Sequence, residues 1–517
     1  MGKRFRLGGP SSALVVLVLL TAFLAVPGHG HGSSATEASS NGAGDRVYSA
    51  SLPHAAGPGN WTILATNNAP STRYGAVMVY DPVDNVVLLF GGSAASPSGG
   101  VILVGDTWVF QNGIWVNLTA TLAVSPSPRS EAGFAYDSVD GYVVLFGGVG
   151  GSGGDVALND TWTFHNLRWS ELVTPTAPSP RISPAMAWDP ADGYVVLFGG
   201  GSFQNGSSYA NDTWSFQGGV WTQVSTLGTV PTARDASAIT YDGADGYVVL
   251  FGGWNGVDRF NDTWTYLGGI WTELRPAVSP SPRLMGNGDI VYDPILRETI
   301  LFGGKYLGNF YNETWSFVAG SWTNLTASLT LSPISRHNAG FVYLPTDGML
   351  LLFGGETFWP QTLNDTWLFG DLSTASELVE VGLSLVSSSC SAFSFGDVFA
   401  TRGIVVAAAR TTYGITALPC EELFERWVLT GELTLASGQP TSASALVAVS
   451  GPGTITAQFV VNRSTATPPS VSSNSGLADL VLGFGLGALA GGLASQLVFG
   501  PGRRLLPNAR HPPERPR

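Results

Sequence analysis

Cysteine is nearly absent from this chain of 517 residues, which contains only Cys390 and Cys420. A small scaffold stapled by many disulfides is therefore excluded. Charged residues make up 12% of the chain, and its net charge of −13 excludes the basic footprint typical of nucleic-acid binding. The chain has six histidines but no His-x-x-x-His pair, no phosphate-loop motif and no Gly-x-Ser-x-Gly elbow. We therefore predict no catalytic residue, no metal site and no cofactor.

Long apolar runs are also scarce, and each lies near one end of the chain. Lys3 and Arg4 precede the run Ala13–Val26, which predicts a secretory signal peptide over residues 1–30, followed by a flexible linker over 31–57.

The second run, Leu480–Phe499, carries no formal charge and is followed by Arg503 and Arg504. Its length predicts a transmembrane helix over residues 477–500, after a linker over 466–476, with a basic cytoplasmic tail over 501–517. A buried helix is the alternative, which the Ser/Pro-rich linker disfavours.

The tripeptide Phe-Gly-Gly closes an apolar run six times, at a spacing of about 50 residues. The six phenylalanines are Phe90, Phe146, Phe198, Phe251, Phe302 and Phe353. Each unit opens with Pro-x-x-Arg, continues through an Asp-rich turn into the apolar run, and then reaches Thr-Trp-x-aromatic and a final Trp-x-x-Leu/Val. These four short strands are the build of one propeller blade.

These residues resemble the kelch-repeat family of β-propellers over roughly residues 60–370. The resemblance implies an all-β fold, a six-bladed kelch-type propeller over 58–372. The sixth unit lacks its closing Trp-x-x-Leu, but Asn60-Trp61-Thr62-Ile63-Leu64 stands ahead of the first. We expect this N-terminal strand to close the last blade, because a ring without an open end leaves no unpaired edge.

A second, small β domain is expected over residues 374–465, where Val379–Val386, Gly403–Ala408 and Thr454–Val461 have the composition of strands. In an oxidising exterior, Cys390 and Cys420 would form a disulfide there; two free thiols are the alternative. Ten Asn-x-Ser/Thr sequons make the exported chain a candidate glycoprotein, although five of them are copies of one repeat step.

One arginine per unit precedes the innermost strand, so the six are expected to surround one mouth of the channel. They are Arg73, Arg129, Arg181, Arg234, Arg283 and Arg336. In the structural interpretation each ties adjacent loops together through hydrogen bonds. In the alternative they form a basic collar that captures an anion.

The loops between the second and third strands differ in length and carry aromatic residues that the repeat does not require. We predict that blades three to six bind a ligand through these rings, because binding residues concentrate on loops of a rigid scaffold. The predicted residues are Phe203, Tyr209, Trp254, Tyr306, Phe310, Tyr311, Phe358 and Trp359. The alternative is that the rings fold back to cap the blades.

Together these features predict a single-pass protein of the cell membrane with an extracellular propeller that binds a protein or glycan ligand and no nucleic acid. The alternative is an extracellular carbohydrate-active enzyme, since some kelch propellers support sugar chemistry. The lack of a catalytic constellation favours binding, but the fold alone does not decide between the two.

Overall fold

The structure is a computed structural model that describes residues 59–96, 100–202, 208–286, 288–358, 361–372, 378–387, 392–400, 403–418 and 423–460. The chain divides into two compact units. Of the described residues, the first unit gathers those in 59–62, 71–109 and 117–372. The second gathers those in 63–70, 110–116 and 378–460.

Five of the repeats form separate antiparallel sheets of four strands. The sixth contributes three antiparallel strands, and Asn60–Leu64 pairs with the third of them. We call each set of four strands a blade and its strands a to d. Strand a is Val77–Asp81, Gly133–Asp137, Ala185–Asp189, Ala238–Asp242, Ile290–Asp293 and Gly340–Leu344 in blades one to six. Strand b is Val86–Phe90, Tyr142–Phe146, Tyr194–Phe198, Tyr247–Phe251, Glu298–Phe302 and Met349–Phe353. Strand c is Thr107–Gln111, Thr161–His165, Thr213–Gln217, Thr263–Leu267, Thr314–Val318 and Thr366–Gly370. Strand d is Ile114–Asn117, Arg168–Leu172, Val220–Gln223, Ile270–Leu274, Ser321–Asn324 and, in the sixth blade, Asn60–Leu64.

Short hairpins extend the loops between strands b and c. Their arms are Ser93–Ala95 with Val101–Leu103, Val149–Gly150 with Val156–Ala157, Gly201–Ser202 with Ser208–Tyr209, and Lys305–Tyr306 with Asn309–Phe310. The first of these hairpins also pairs with Arg73–Tyr74. Two 3₁₀ turns, Thr119–Thr121 and Thr326–Ser328, follow strand d of the first and fifth blades.

The Phe-Gly-Gly tripeptide is where neighbouring blades meet. In the first blade Gly91 has a φ of +69°, and a Cβ there would lie 2.4 Å from the carbonyl oxygen of Arg129 in the next blade. The N–H of Gly92 donates to that same carbonyl at 2.8 Å. The equivalent bond from Gly355 to Arg73 joins the sixth blade to the first. Glycine is required because the two backbones pass too closely for a side chain.

Each repeat arginine is a clamp within its own blade. The guanidinium of Arg181 donates to both the carbonyl and the hydroxyl oxygen of Ser179 and to the carbonyl of Gly199. It also donates to both carboxylate oxygens of Asp212. The carboxylate stands just before strand c and also accepts the indole N–H of Trp214. Burial favours the neutral carboxyl, but the hydrogen bonds and charge of Arg181 outweigh it and hold the pKa of Asp212 below its usual range.

The tryptophan of strand d links each of blades two to six to the blade before it. The indole N–H of Trp221 donates to the hydroxyl of Thr161 in strand c of the preceding blade at 3.0 Å. Its ring lies 5.0 Å from Phe146 and 4.9 Å from Phe216. One side chain therefore fills the space between two sheets and satisfies its polar atom there.

Trp61 has this position in the sixth blade. It is 1% exposed, donates to Thr314 of the fifth blade at 2.9 Å, and packs against Phe302, Phe341 and Phe369. The N-terminal segment thus supplies the fourth strand of the last blade.

The second unit is also built from strands. They are Leu378–Val386, Phe393–Phe395, Val398–Ala400, Gly403–Ala408, Thr411–Ala417, Leu423–Ser437 and Ser444–Val460. Leu378–Val386 pairs antiparallel with Gly403–Ala408 and parallel with Ser444–Val460. Phe393, Phe395 and Tyr413 lie in its core. Both cysteines of the predicted disulfide lie outside the described residues.

The predicted fold class, which ended in a transmembrane helix, is wrong in that respect, and so is the predicted single-pass localisation. Within the described ranges no helix is long and apolar enough to cross a membrane. The predicted helix over 477–500 falls outside those ranges. So do the signal peptide, the linkers over 31–57 and 466–476, and the basic tail.

We expect Trp61→Ala to lower the free energy of unfolding by about 3–5 kcal/mol, the usual range for deleting a buried tryptophan. Trp61→Phe should cost less, since it keeps a ring against Phe302 and loses the bond to Thr314. Urea unfolding measures both. A loss under about 1 kcal/mol for Trp61→Ala would mean that this strand does not hold the sixth blade.

We expect Asp212→Ala to cost about 3–5 kcal/mol, because it leaves the buried guanidinium of Arg181 without its counter-ion. The matched control is Glu273→Ala, which breaks the exposed pair with Arg275 and should cost at most about 1 kcal/mol. The folded-state pKa of Asp212 is depressed, so its contribution is present above the unfolded value of about 3.9 and is lost as pH falls through the folded-state pKa. Equal losses for the two variants in urea unfolding would contradict the clamp.

Candidate functional site

In each blade three short segments lie side by side at one mouth of the channel. The residue that follows the clamp arginine pairs with the first arm of the b–c hairpin, and that arm pairs with the second. This pairing gives one row of three residues per blade. The rows of blades one to six are Tyr74/Ser93/Leu103, Ser130/Val149/Ala157, Ile182/Gly201/Tyr209, Asp235/Trp254/Arg259, Leu284/Lys305/Phe310 and His337/Glu356/Thr362. Side chains of directly paired residues share one face of a sheet.

A cavity of about 310 Å³ shows where this face points. It is lined by the whole row of the first blade, by Ser130 and Val149 of the second and by Ile182 of the third. Glu131 also reaches it. The rows of blades one to three therefore line a depression at this mouth in which apolar side chains lie beside serines, Tyr74 and Glu131.

The second residue after each arginine forms a belt around the mouth. Its N–H donates to the carbonyl of the equivalent residue in the preceding blade, from Glu131 to Gly75 and from Ser183 to Glu131, for example. Glu131 has a φ of +56° and Ser183 of +48°, in the left-handed region that few non-glycine residues adopt. Between the fifth and sixth blades the buried carboxylate of Asp289 replaces the carbonyl as the acceptor. It accepts hydrogen bonds from the N–H groups of Gly286 and Asn338.

The fourth blade carries the densest cluster of aromatic and charged groups. The Trp254 ring lies edge-on to Tyr209 of the third blade at 5.7 Å. The guanidinium of Arg259 lies 5.6 Å from the ring centres of both Trp254 and Tyr306. The indole N–H of Trp254, Nε of Arg259 and Oδ1 of Asp235 are buried and have no hydrogen-bond partner in the part of the chain that the structure describes.

Blades five and six continue the surface with an ion cluster. Oε1 of Glu356 lies 2.9 Å from Nζ of Lys305 and 3.3 Å from Nδ1 of His337. Burial favours the neutral carboxyl, but the hydrogen bonds and charges of His337 and Lys305 outweigh it and lower the pKa of Glu356. Lys305 also lies 4.8 Å from the ring centre of Phe310, which packs edge-on against the exposed Phe358.

Two acidic side chains face the same mouth from different blades. Burial, and then the charge of Glu131, raise the pKa of Asp235 to about 8. Glu131 itself accepts the hydroxyl of Ser183 at 2.7 Å and the amide of Asn338 at 3.2 Å. Burial and the charges of Glu131 and Glu356 raise the pKa of Tyr74 to about 12. The raised pKa favours the protonated form of Asp235, which can donate a hydrogen bond.

The structure brings most of the predicted binding rings to this mouth. Tyr209, Trp254 and Tyr306 meet around Arg259, and Phe310 meets Phe358. Tyr311 lies 4.2 Å from the guanidinium of Arg283, so it packs on a clamp instead. Phe203 and Trp359 lie outside the described residues.

The six predicted arginines do not form an open collar. Each is at most 2% exposed and pairs with an acid ahead of strand c of its own blade. In Arg73, Arg129 and Arg181 all five N–H donors are used. The anion-binding alternative requires free donors, and the clamps leave it none at these three.

Several residues of the site were not among the sequence predictions, which considered aromatic rings in the loops. They are Tyr74, Glu131, Asp235, Arg259, Lys305, His337 and Glu356. The sequence signal that could have found four of them, Tyr74, Glu131, Asp235 and His337, is the pair of positions after each repeat arginine, where residue type changes from blade to blade. Among the described residues no group of three or more His, Cys, Asp or Glu could hold a metal ion.

Comparisons with known proteins give one family and two partial likenesses. The chain is 33% identical over 141 residues to the dynein alpha chain of the flagellar outer arm of Chlamydomonas reinhardtii, which is 26% of this chain and spans 3% of that protein. The solved structure of a protein called YjhT aligns with a TM-score of 0.43 and 16% identity, over 58% of this chain and 95% of that one.

The model of the KLHDC2/KLHL20/DRC7 kelch-repeats domain matches residues 56–219 and 191–376, more than half of the chain. The matched range contains all six blades with their clamps and glycine junctions. The chain belongs to this kelch-repeat family.

Proposed function

We propose that this chain is a binding protein that holds a segment of a partner protein across the six rows. The observation that carries the proposal is the uneven chemistry of one continuous surface. Blades one to three offer a depression of about 310 Å³ in which Leu103, Val149 and Ile182 supply apolar surface. Blades four to six offer charged groups and the unpartnered polar atoms of Asp235, Trp254 and Arg259.

A protein segment has both kinds of group that such a surface requires. Apolar side chains fit the depression beside Val149 and Ile182, while backbone carbonyls and acidic side chains accept hydrogen bonds from Trp254 and Arg259. Buried donors without partners cost free energy, so a ligand that pairs with them regains it. Aromatic and arginine side chains in this setting are the groups that dominate protein interfaces.

A glycan is supported less well by the same geometry. Sugars stack on open aromatic faces, but Arg259 lies against Trp254 and Tyr209 meets its edge. Catalysis on a sugar has a different requirement, a pair of carboxyl groups in distinct protonation states. The raised pKa of Asp235 makes it a candidate acid for such a pair, so a glycan array and a hydrolysis assay belong in the test.

We expect Trp254→Ala and Arg259→Ala each to weaken partner binding by about 10- to 100-fold, the range of central interface residues. The probe is a displayed library of random dodecapeptides selected on the purified chain, with affinities of enriched peptides measured by interferometry. Val220→Ala is the control, since Val220 is exposed on outer strand d.

Unchanged affinities in both variants would place the binding site elsewhere. Enrichment on the glycan array alone, lost on Trp254→Ala, would replace the protein partner with a carbohydrate. Hydrolysis of an arrayed glycan, lost on Asp235→Asn, would favour the enzyme.

The buried acid predicts a specific pH dependence of stability. The folded-state pKa of Asp235 is raised to about 8, whereas the unfolded value is about 3.9. Between these values the folded chain keeps a proton that the unfolded chain has lost, so stability falls as pH rises and levels off above the folded-state pKa. The slope is at most about 1.4 kcal/mol per pH unit.

Asp235→Asn should remove this component. The free energy of unfolding of the variant should therefore increase relative to that of wild type as pH rises from 4 to about 8. Urea unfolding at several pH values measures the difference, and Asp155→Asn on an exposed loop serves as the control. A constant difference between wild type and Asp235→Asn would show that Asp235 is charged throughout.

A further inference from the structure

The opposite mouth of the channel is lined by six aromatic side chains at equivalent positions. Each is the fourth residue of strand a in its blade, or the third in the shorter strand of the fifth blade. They are Tyr80, Tyr136, Trp188, Tyr241, Tyr292 and Tyr343, and we call them the collar. All are half-buried, unlike the fully buried tryptophans between blades.

A second cavity, of about 360 Å³, lies inside the collar. Its lining comes from strand a of all six blades and includes five collar rings. Its deeper wall is apolar, with Phe134, Met186 and Phe341 almost fully buried. Apart from the tyrosine hydroxyls and the indole N–H of Trp188, Thr240 carries the one polar side-chain group among the lining residues.

The turns between strands a and b surround this mouth with negative charge. They contain Asp81, Asp84, Asp137, Asp140, Asp189, Asp192, Asp242, Asp245, Asp293, Glu298 and Asp347, against one base, Arg297. Each ring approaches the turn of the preceding blade: a Cβ on Gly243 would lie 2.8 Å from the ring of Tyr292. The pKa of Tyr241 is accordingly raised by burial and by the charges of Asp189 and Asp242.

Aromatic faces backed by carboxylates attract a cation. The lining also selects among cations, because an ammonium or guanidinium group would bury N–H donors where few acceptors face it. A cation that carries methyl groups in place of N–H avoids that cost. The size of the cavity lies within the range of small-molecule sites.

We propose that the collar binds a quaternary ammonium group of the choline type. The site is separate from the rows at the other mouth and does not depend on their function. Choline itself is the probe, and its neutral isostere 3,3-dimethyl-1-butanol is the matched ligand control, since it has the same shape without the charge.

Isothermal titration calorimetry of the full chain tests the site. We expect saturable binding of choline, at least tenfold weaker binding of dimethylbutanol, and weaker binding of choline as salt is raised. Trp188→Leu and Tyr241→Leu should each reduce choline affinity at least tenfold. Trp188→Phe and Tyr241→Phe keep a ring, so they should retain most of the affinity and also show whether loss in the leucine variants reflects misfolding. Val220→Ala should bind as wild type.

Three results would overturn the proposal. They are no saturable heat with millimolar choline, equal affinity for the neutral isostere, and tighter binding of N-acetyl-lysine methylamide than of its trimethylated form. The second would indicate an apolar pocket without cation recognition, and the third a site for basic side chains.

Discussion

The fold depends on one residue per blade, the clamp arginine, because it acts in two directions at once. Its guanidinium fixes the loop ahead of strand a, the glycine after strand b and the acid before strand c, all within one blade. Its carbonyl meanwhile accepts the second glycine of the preceding blade, as in the bond from Gly148 to Arg181. A buried guanidinium is tolerated only when its donors are paired. Loss of any partner therefore loosens a blade and a blade junction together.

Because the arginine and the glycine pair fix the backbone of each blade, the residues that follow them can differ in side chain from blade to blade. Once the arginine and the glycine pair have fixed the backbone, the next two residues and the b–c hairpin need only pair through their main chains. Their side chains can then be Ile182 with Gly201 in one blade and Asp235 with Trp254 in the next. The same backbone geometry therefore has two results. The Phe-Gly-Gly tripeptide is the same in every blade, and the residue types in the rows differ from blade to blade.

The same distinction explains how much could be predicted from the sequence. The repeat identified the kelch family, and the prediction that arginines tie loops together rests on a residue type and position that recur in every unit. The meeting of Tyr209, Arg259 and Tyr306 could not be predicted, because it depends on the distance between hairpins of three different blades. The raised pKa of Asp235 was equally inaccessible, since it arises from burial and from Glu131 two blades away. The predicted transmembrane helix rested on the uncharged run Leu480–Phe499 and the arginines after it, and this segment lies outside the described residues.

The two mouths of the channel differ in symmetry, and symmetry limits what each can recognise. Five collar residues are tyrosine and one is tryptophan, so the surface is nearly the same from every direction around the axis. Such a ring cannot orient an extended chain, but it suits a compact cation whose charge is equally distributed. The rows, in contrast, change from Leu103 and Val149 on one side to Arg259 and Lys305 on the other. An asymmetric surface distinguishes the two directions of a peptide, because reversing the chain would place apolar groups against the charges. We therefore regard directional recognition as possible at only one end of this propeller.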